Sequence, residues 1–484
     1  MISALRSALA GFLVWRHSYL VGGLLITALG GLIRFVNIAN PAALVFDETY
    51  YVKDAYTLGL FGSERVWPED ANLSFEAGDT DVYETAGSYV VHPPFGKWVI
   101  WLGLRLFGAD STVGWRFAVA LLGTLAIPLM IAIARRLTAS KKFALFAGLL
   151  LALEGVSIVL SRTAILDGIL TFFVMLGLLV TIQADWAWRR ATVLADAAPI
   201  RIQPWLITLG VVMGLASSVK WSGLYFLAAF GIYTFLSDVK LRSILGLSKL
   251  AAVVQGFVNA IILLTAAATT YILSWAGWIL GTDGWGRQAE PTWWQSLWAY
   301  HQNAYAFHTP LDSEHPYQAN AFQWLLSLRP TAFFFERYEQ AEICGPLQNC
   351  TVAITAIPNL VTWFAGLLAL IWLLRRALGG QRAALLIWLG FLAAWLPWVI
   401  YLDRTVFQFY TVVMVPFLIL ALTVAASHYW RRGLRLGVLR KRENRLVLLL
   451  VANAVVALYF VTIWTGIATP DWVWRIQMLL PIWI

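Results

Sequence analysis

Two adjacent carboxylates, Asp47 and Glu48, stand in the segment Phe46-Asp-Glu-Thr-Tyr-Tyr-Val-Lys-Asp-Ala-Tyr56, directly after the first long apolar run. An acid pair at the end of an apolar helix, with Tyr50, Tyr51 and Lys53 beside it, has the makings of a general base and its hydrogen-bonding surroundings. Acids also occur in loops leaving a membrane for no reason but solvation, so the pair gains meaning from its company.

Five further groups supply that company. In His92-Pro-Pro-Phe-Gly-Lys97 two prolines suit the first turn of a helix, and His92 and Lys97 flank its start. Gly114-Trp-Arg-Phe117 sets Arg116 at the outer end of a span. Ser161-Arg162 through Asp167 forms a tight outer turn, with Asp167 about one helical turn inside. Lys220 lies in Ser217-Ser-Val-Lys-Trp-Ser-Gly223, and Arg404 in Leu402-Asp-Arg-Thr-Val-Phe-Gln-Phe-Tyr410. Singly, each has a plain explanation: a helix-entry histidine, a snorkelling arginine, an acid and a base pairing between helices. Together, Arg116, Arg162, Lys220 and Arg404 on one side of a membrane make an anion site, since Arg and Lys are the natural partners of phosphate.

The chemistry such a set suits is transfer of a group from a lipid phosphate to an acceptor. A glycosyl phosphate leaves as a stable anion, so it needs cations where an ordinary glycoside needs a general acid. One carboxylate then takes the proton of an acceptor hydroxyl, and a single displacement inverts the anomeric centre.

These residues must be positioned by membrane helices. The chain has 484 residues, 60% hydrophobic and 13% charged, far from the composition of a soluble domain. Eleven segments approach the length of a span: 17–36, 113–134, 143–160, 164–183, 204–219, 221–237, 251–279, 354–374, 383–401, 406–427 and 446–466. Residues 93–107 are shorter and charged, and are expected as a helix lying in the interface. No cleavable signal peptide is evident, and the first apolar run is expected to stay as a span.

The net charge of +9 is a topological signal. Arg135, Arg136, Lys141 and Lys142 fall in one inner loop, and Arg431, Arg432, Arg435, Arg440, Lys441, Arg442 and Arg445 in another, while most acids fall outside. That is the positive-inside pattern, with contact to anionic lipid as a by-product; it is no footprint for nucleic acid. It predicts an inner N-terminus and an outer C-terminus, with Asp47 and Glu48 outside. Chemistry there must use a donor already carried across the membrane.

Two outer segments, 37–112 and 280–353, are long and rich in Trp, Tyr and acids. The second holds the only cysteines, Cys344 and Cys350, expected as a disulfide in an oxidising compartment. Tryptophans near span ends, such as Trp275, Trp278, Trp395 and Trp398, and the tail residues Trp472, Trp474 and Trp483, are expected as interface anchors.

In this order the motifs resemble those of the protein O-mannosyltransferases, membrane glycosyltransferases with the GT-C fold. The matches are Phe46-Asp-Glu-Thr-Tyr-Tyr51, His92-Pro-Pro-Phe-Gly-Lys97, Trp115-Arg116-Phe117, Ser161-Arg162 through Asp167, Val219-Lys220-Trp-Ser-Gly223, His315-Pro-Tyr317 before Trp324, and Arg404 before Phe409-Tyr410. The resemblance implies an all-α bundle, a polyprenyl-phosphate-mannose donor, Ser/Thr hydroxyls of exported proteins as acceptors, and a bacterial plasma membrane, with the protein export machinery as a neighbour. It makes Asp47 the base, with Glu48 positioning the acceptor or shaping the pocket. Arg116, Lys220, Arg404 and Arg162 would hold the donor phosphate. His92, Lys97, Tyr51, Asp167, Asn303, His308 and His315 would touch donor or acceptor. No cofactor and no essential metal are expected.

Two departures are visible. The sugar-binding-like insertion of eukaryotic members is absent from 280–353, as in a compact bacterial form. Glu154 stands where aspartate is expected in Leu150-Leu-Ala-Leu-Glu-Gly155.

Three other readings differ in identifiable residues. A GT-C enzyme moving aminoarabinose to a lipid would pair its acid with Lys-Pro-Pro, whereas this chain has His92-Pro-Pro. A transporter or flippase would carry charges at mid-depth in broken helices, with internal repeats, and neither is visible here. A non-catalytic relative would not need Asp47.

Overall fold

The computed structural model describes residues 17–194, 200–309, 312–339, 341–347 and 349–484. The N-terminal end, expected inside, lies outside these residues. Eight helices are long and apolar enough to cross a membrane among the described residues. They are α1 (Ser18–Phe35), α4 (Thr112–Thr138), α6 (Leu166–Val193), α8 (Gly223–Ile244), α9 (Lys249–Ser274), α11 (Leu360–Leu378), α12 (Arg382–Ile400) and α14 (Leu439–Thr465).

The other three expected spans are helical but shorter or broken. The stretch 143–160 divides into α5 (Lys141–Ala152) and a short helix, Gly155–Val159; α7 (Pro204–Val219) has 16 residues; and 406–427 opens as a 3-10 turn, Gln408–Val413, before α13 (Val415–Arg435). Glu154 explains the first break. It caps the short helix, with Oε2 accepting from Ser157 N at 2.7 Å, while Oε1 takes Asn359 N at 3.3 Å. The longer acid thus ties two chain segments where a cap alone needs one.

Outside the spans, α2 (Glu48–Phe61) follows α1, and α3 (Phe95–Phe107) fills the expected interfacial stretch. Pro94 is its N-cap, and Leu102, Leu106 and Phe107 are left exposed along it. α3 packs on α2 and α4. At Gly103 and Gly114 backbones meet so closely that a Cβ on either would strike a carbonyl oxygen. That contact fixes α3, and through it α2, against the bundle.

The second outer segment contains α10 (Trp293–His308) and a hairpin not foreseen in the sequence. Strands β1 (Ala332–Tyr338) and β2 (Cys350–Thr355) pair antiparallel with Tyr338 opposite Cys350 and Phe334 opposite Ile354. The Cys344–Cys350 disulfide closes the turn. The hairpin occupies the first residues of the span expected from 354, because Phe333, Val352, Ala353 and Ile354 are buried between the outer loops.

Several tryptophans are not interface anchors. Trp275 and Trp278 are buried with Leu297 and Tyr300 under α10. Trp474 is buried against Phe335, and Trp483 donates to Ser327 O. Of the three tail tryptophans only Trp472 is exposed.

Candidate active site

Asp47 is the N-cap of α2, and the helix decides the fate of each acid near it. Asp47, Tyr51 and Asp54 recur at helical spacing on one face. All three line a cavity of about 510 Å³ between α2, the loop before α3, the end of α10 and the loop carrying Arg404. Glu48 is turned about 100° away and points into the bundle, fully buried.

Asp47 retains its freedom. Among the described residues its one side-chain hydrogen bond comes from Tyr51 Oη at 3.4 Å. Burial pushes its carboxyl up to about 6, although the Lys220 charge and the Tyr51 hydroxyl pull the other way. An acid poised there is ionised at neutral pH yet basic enough to take a proton.

Glu48 is consumed. Its Oε1 accepts from Arg116 Nε at 2.9 Å and Ala164 N at 2.7 Å; its Oε2 accepts from Arg116 Nη2 at 2.8 Å and Val45 N at 3.0 Å. It therefore shapes the site from behind and does not face the cavity.

Arg116 is likewise removed from the set of phosphate ligands. Beyond Glu48, its Nη1 donates to the carbonyls of Ile38 and Pro41, and its Nη2 to that of Ala43. All five guanidinium protons have acceptors, leaving none for a ligand. Arg162 is also structural: it donates to the carbonyls of Ile33, Arg34, Val36 and Thr465, joining the ends of α1 and α14. Arg116 thus holds backbone that the sequence shows only as loop, and Arg162 holds the ends of two helices together.

Lys220 and Arg404 remain. Both line a second cavity, of about 170 Å³, formed by the first turns of α6 and α8 and the last turns of α12, with Trp221, Phe226 and Trp398 on its walls. Lys220 Nζ is 2.7 Å from Asp167 Oδ2 and 4.8 Å above the ring of Tyr410. Arg404 lies 5.6 Å from the Trp398 ring, and its Nη2 is 3.3 Å from His308 Nδ1. Its Nε has no hydrogen-bond partner.

The two cavities share four residues: His92, His308, Arg404 and Tyr410. The His92 and His308 rings stack with centroids 5.3 Å apart, and His308 Nε2 is 3.1 Å from Val91 O. Burial first, and the nearby cations after it, hold both imidazoles below the usual histidine range, His308 at about 4. They are neutral at pH 7. Lys97 lines the first cavity but is held by Glu64, at 2.5 Å, and the His92 carbonyl, at 3.1 Å.

Two expected contacts lie elsewhere. Asn303 is exposed on α10, donating to Ala299 O of its own helix. His315 packs edge-on to Phe407, 4.9 Å away, and near Phe46, while its Nδ1 accepts from Tyr317 N. It buttresses the loop before Asp47. Conversely, Asp54 and Tyr410 face cavities although no role was assigned to either from the sequence. Their signal was present: Asp54 is two helical turns from Asp47, and Tyr410 closes the Arg404 motif.

Among the described residues no group of three or more His, Cys, Asp or Glu side chains is arranged to hold a metal ion.

The fold defines the class. The chain superposes on the S. cerevisiae protein O-mannosyltransferase Pmt1-Pmt2 complex bound to the sugar donor with a TM-score of 0.75, at 13% identity, over 99% of this chain and 94% of that one. It superposes less closely on ArnT from Cupriavidus metallidurans bound to undecaprenyl phosphate, with a TM-score of 0.52 at 16% identity, over 93% and 77% of the two chains. This is the GT-C architecture of membrane glycosyltransferases. The family described as dolichyl-phosphate-mannose-protein mannosyltransferase matches residues 80–279. A polyprenol-phosphate-mannose–protein mannosyltransferase of Mycolicibacterium smegmatis is 30% identical over 95% of this chain and 92% of its own length. One of Mycobacterium tuberculosis is 29% identical over 96% and 92%. The chain belongs to the protein mannosyltransferase family.

Proposed function

We propose that this multi-pass membrane protein transfers mannose, with inversion, from polyprenyl-phosphate mannose to Ser or Thr hydroxyls of exported polypeptides at the outer face of a bacterial plasma membrane. The observation that carries the reading is the arrangement of Asp47. It is the one member of the acid pair that lines a cavity, it is poised near neutrality, and its cavity shares four lining residues, Arg404 among them, with the cavity that holds Lys220.

The reaction follows from these positions. The donor phosphate sits by Arg404 and Lys220 with its lipid along the aromatic wall, and the acceptor hydroxyl comes to Asp47. Asp47 takes the hydroxyl proton as the oxygen bonds to C1 of mannose. The C1–O bond to phosphate breaks, and the leaving oxygen keeps the electron pair. Arg404 and Lys220 compensate the charge that grows on the phosphate. Asp167 orients Lys220 for this, and no metal is required because two fixed cations serve. The N-terminus is cytoplasmic, the C-terminus and site are extracytoplasmic, and the export machinery delivers the acceptor in an extended state.

The test is transfer of radiolabelled mannose from polyprenyl-phosphate mannose to a Ser/Thr-rich exported peptide by the purified protein. Incorporation that an α-mannosidase releases supports the reading. Failure with an intact donor, together with labelling of a lipid acceptor, would replace it by a lipid-modifying GT-C activity.

A further inference from the structure

Asp54 is a buried acid without a partner. Only 9% of the residue is exposed, and among the described residues no hydrogen bond or ion pair engages its carboxyl, yet it lines the same cavity as Asp47. Burial pushes its carboxyl up to about 7, even with the Lys97 and Lys53 charges opposing, and an acid kept at that cost is one that a ligand can complete. The cation that acts on it most strongly, Lys97, is engaged by Glu64 and the His92 carbonyl.

Position narrows what the donor can be. Asp54 is seven residues along α2 from Asp47, a rise of about 10 Å on the same helix face. Tyr50, Tyr51 and Tyr89 line the cavity with it, beside the backbone of Val90 and Val91, which Tyr300 and His308 fasten to α10. A single sugar ring, reacting at C1 beside Asp47, reaches Asp54 with its distal hydroxyls.

We infer that Asp54 forms the distal wall of a hexose subsite, accepting a hydrogen bond from a hydroxyl of the transferred sugar remote from C1. Hydroxyls are donors that a buried carboxylate accepts without an ion pair, and the tyrosines beside it offer the flat faces that pyranose rings pack on. This inference rests on the transferase reading above, and it makes Asp54 a determinant of which sugar is moved.

The experiment compares polyprenyl-phosphate mannose with its 3-, 4- and 6-deoxy analogues in wild type, Asp54→Ala and Asp54→Asn. Wild type should lose at least about tenfold in kcat/KM with one analogue, as expected for a lost hydrogen bond to a charged group. In Asp54→Ala that ratio should fall close to one, while the ratios for the other analogues stay as in wild type. A wild-type enzyme indifferent to all three hydroxyls overturns the inference without needing a variant. So does an Asp54 variant whose defect lies wholly in the KM of the peptide, which would assign the residue to the acceptor. Absence of transfer from any mannosyl donor would instead strike the transferase reading itself.

Discussion

Arg116 grips Glu48 through two nitrogens, Nε to Oε1 at 2.9 Å and Nη2 to Oε2 at 2.8 Å, with both side chains withdrawn from solvent. The same arginine holds three carbonyls of the loop leading to α2, so the pair decides where that helix begins and hence where Asp47 stands.

Breaking this pair should be costly in stability. Glu48→Ala leaves a buried guanidinium uncompensated, and a loss of about 3–5 kcal/mol is expected. Thermal unfolding in detergent should show a clear fall in Tm for Glu48→Ala and for Arg116→Ala. A Glu48 variant with wild-type stability and no activity would return that residue to the chemistry.

Asp47→Asn should behave in the opposite way. It removes the proton acceptor while keeping size and hydrogen-bonding capacity, so transfer should drop about a thousandfold with Tm unchanged. Single-turnover assays at saturating donor separate this from a binding defect.

The acidic limb of the pH profile belongs to the same carboxyl. Transfer requires the ionised form, so kcat/KM should rise with pH through about 6, and in Asp54→Asn, which removes the other carboxyl of the cavity, raised by burial to about 7, that limb should remain. The Tyr51 hydroxyl stabilises that ionised form, so Tyr51→Phe should move the limb to higher pH. His308, held at about 4, should not contribute near pH 6. A limb unmoved in Tyr51→Phe would detach Asp47 from the profile.

The four cations of the sequence motifs should divide into two pairs. Arg404→Ala and Lys220→Met should weaken donor use by about tenfold or more, the scale of one lost charged hydrogen bond. Arg116 and Arg162 variants that still fold should keep donor KM. Titrating the donor with each purified variant decides the matter.

That division shows how far the sequence reached. The placement of Asp47, Lys220 and Arg404 on the cavities was legible because residue type and motif converge on them. The separation of Glu48 from Asp47 was not, because adjacent residues on a helix differ by about 100° in direction and no pattern in the segment says which direction is the bundle. Arg116 and Arg162 looked like ligands because an arginine at a span end looks the same whether its acceptor is a lipid phosphate or a backbone carbonyl from a distant segment. The apolar runs located the bundle well, but the breaks at Glu154 and Gln408 depend on capping and burial by remote residues. The β1–β2 hairpin escaped notice for the same reason: β2, buried along its whole length, reads as the start of a span.

Finally, His92, His308, Arg404 and Tyr410 line both cavities. A change of shape at any one of them is therefore felt on the Asp47 side and on the Lys220 side at once, so these four side chains couple the two halves of the site more tightly than their distance in sequence suggests.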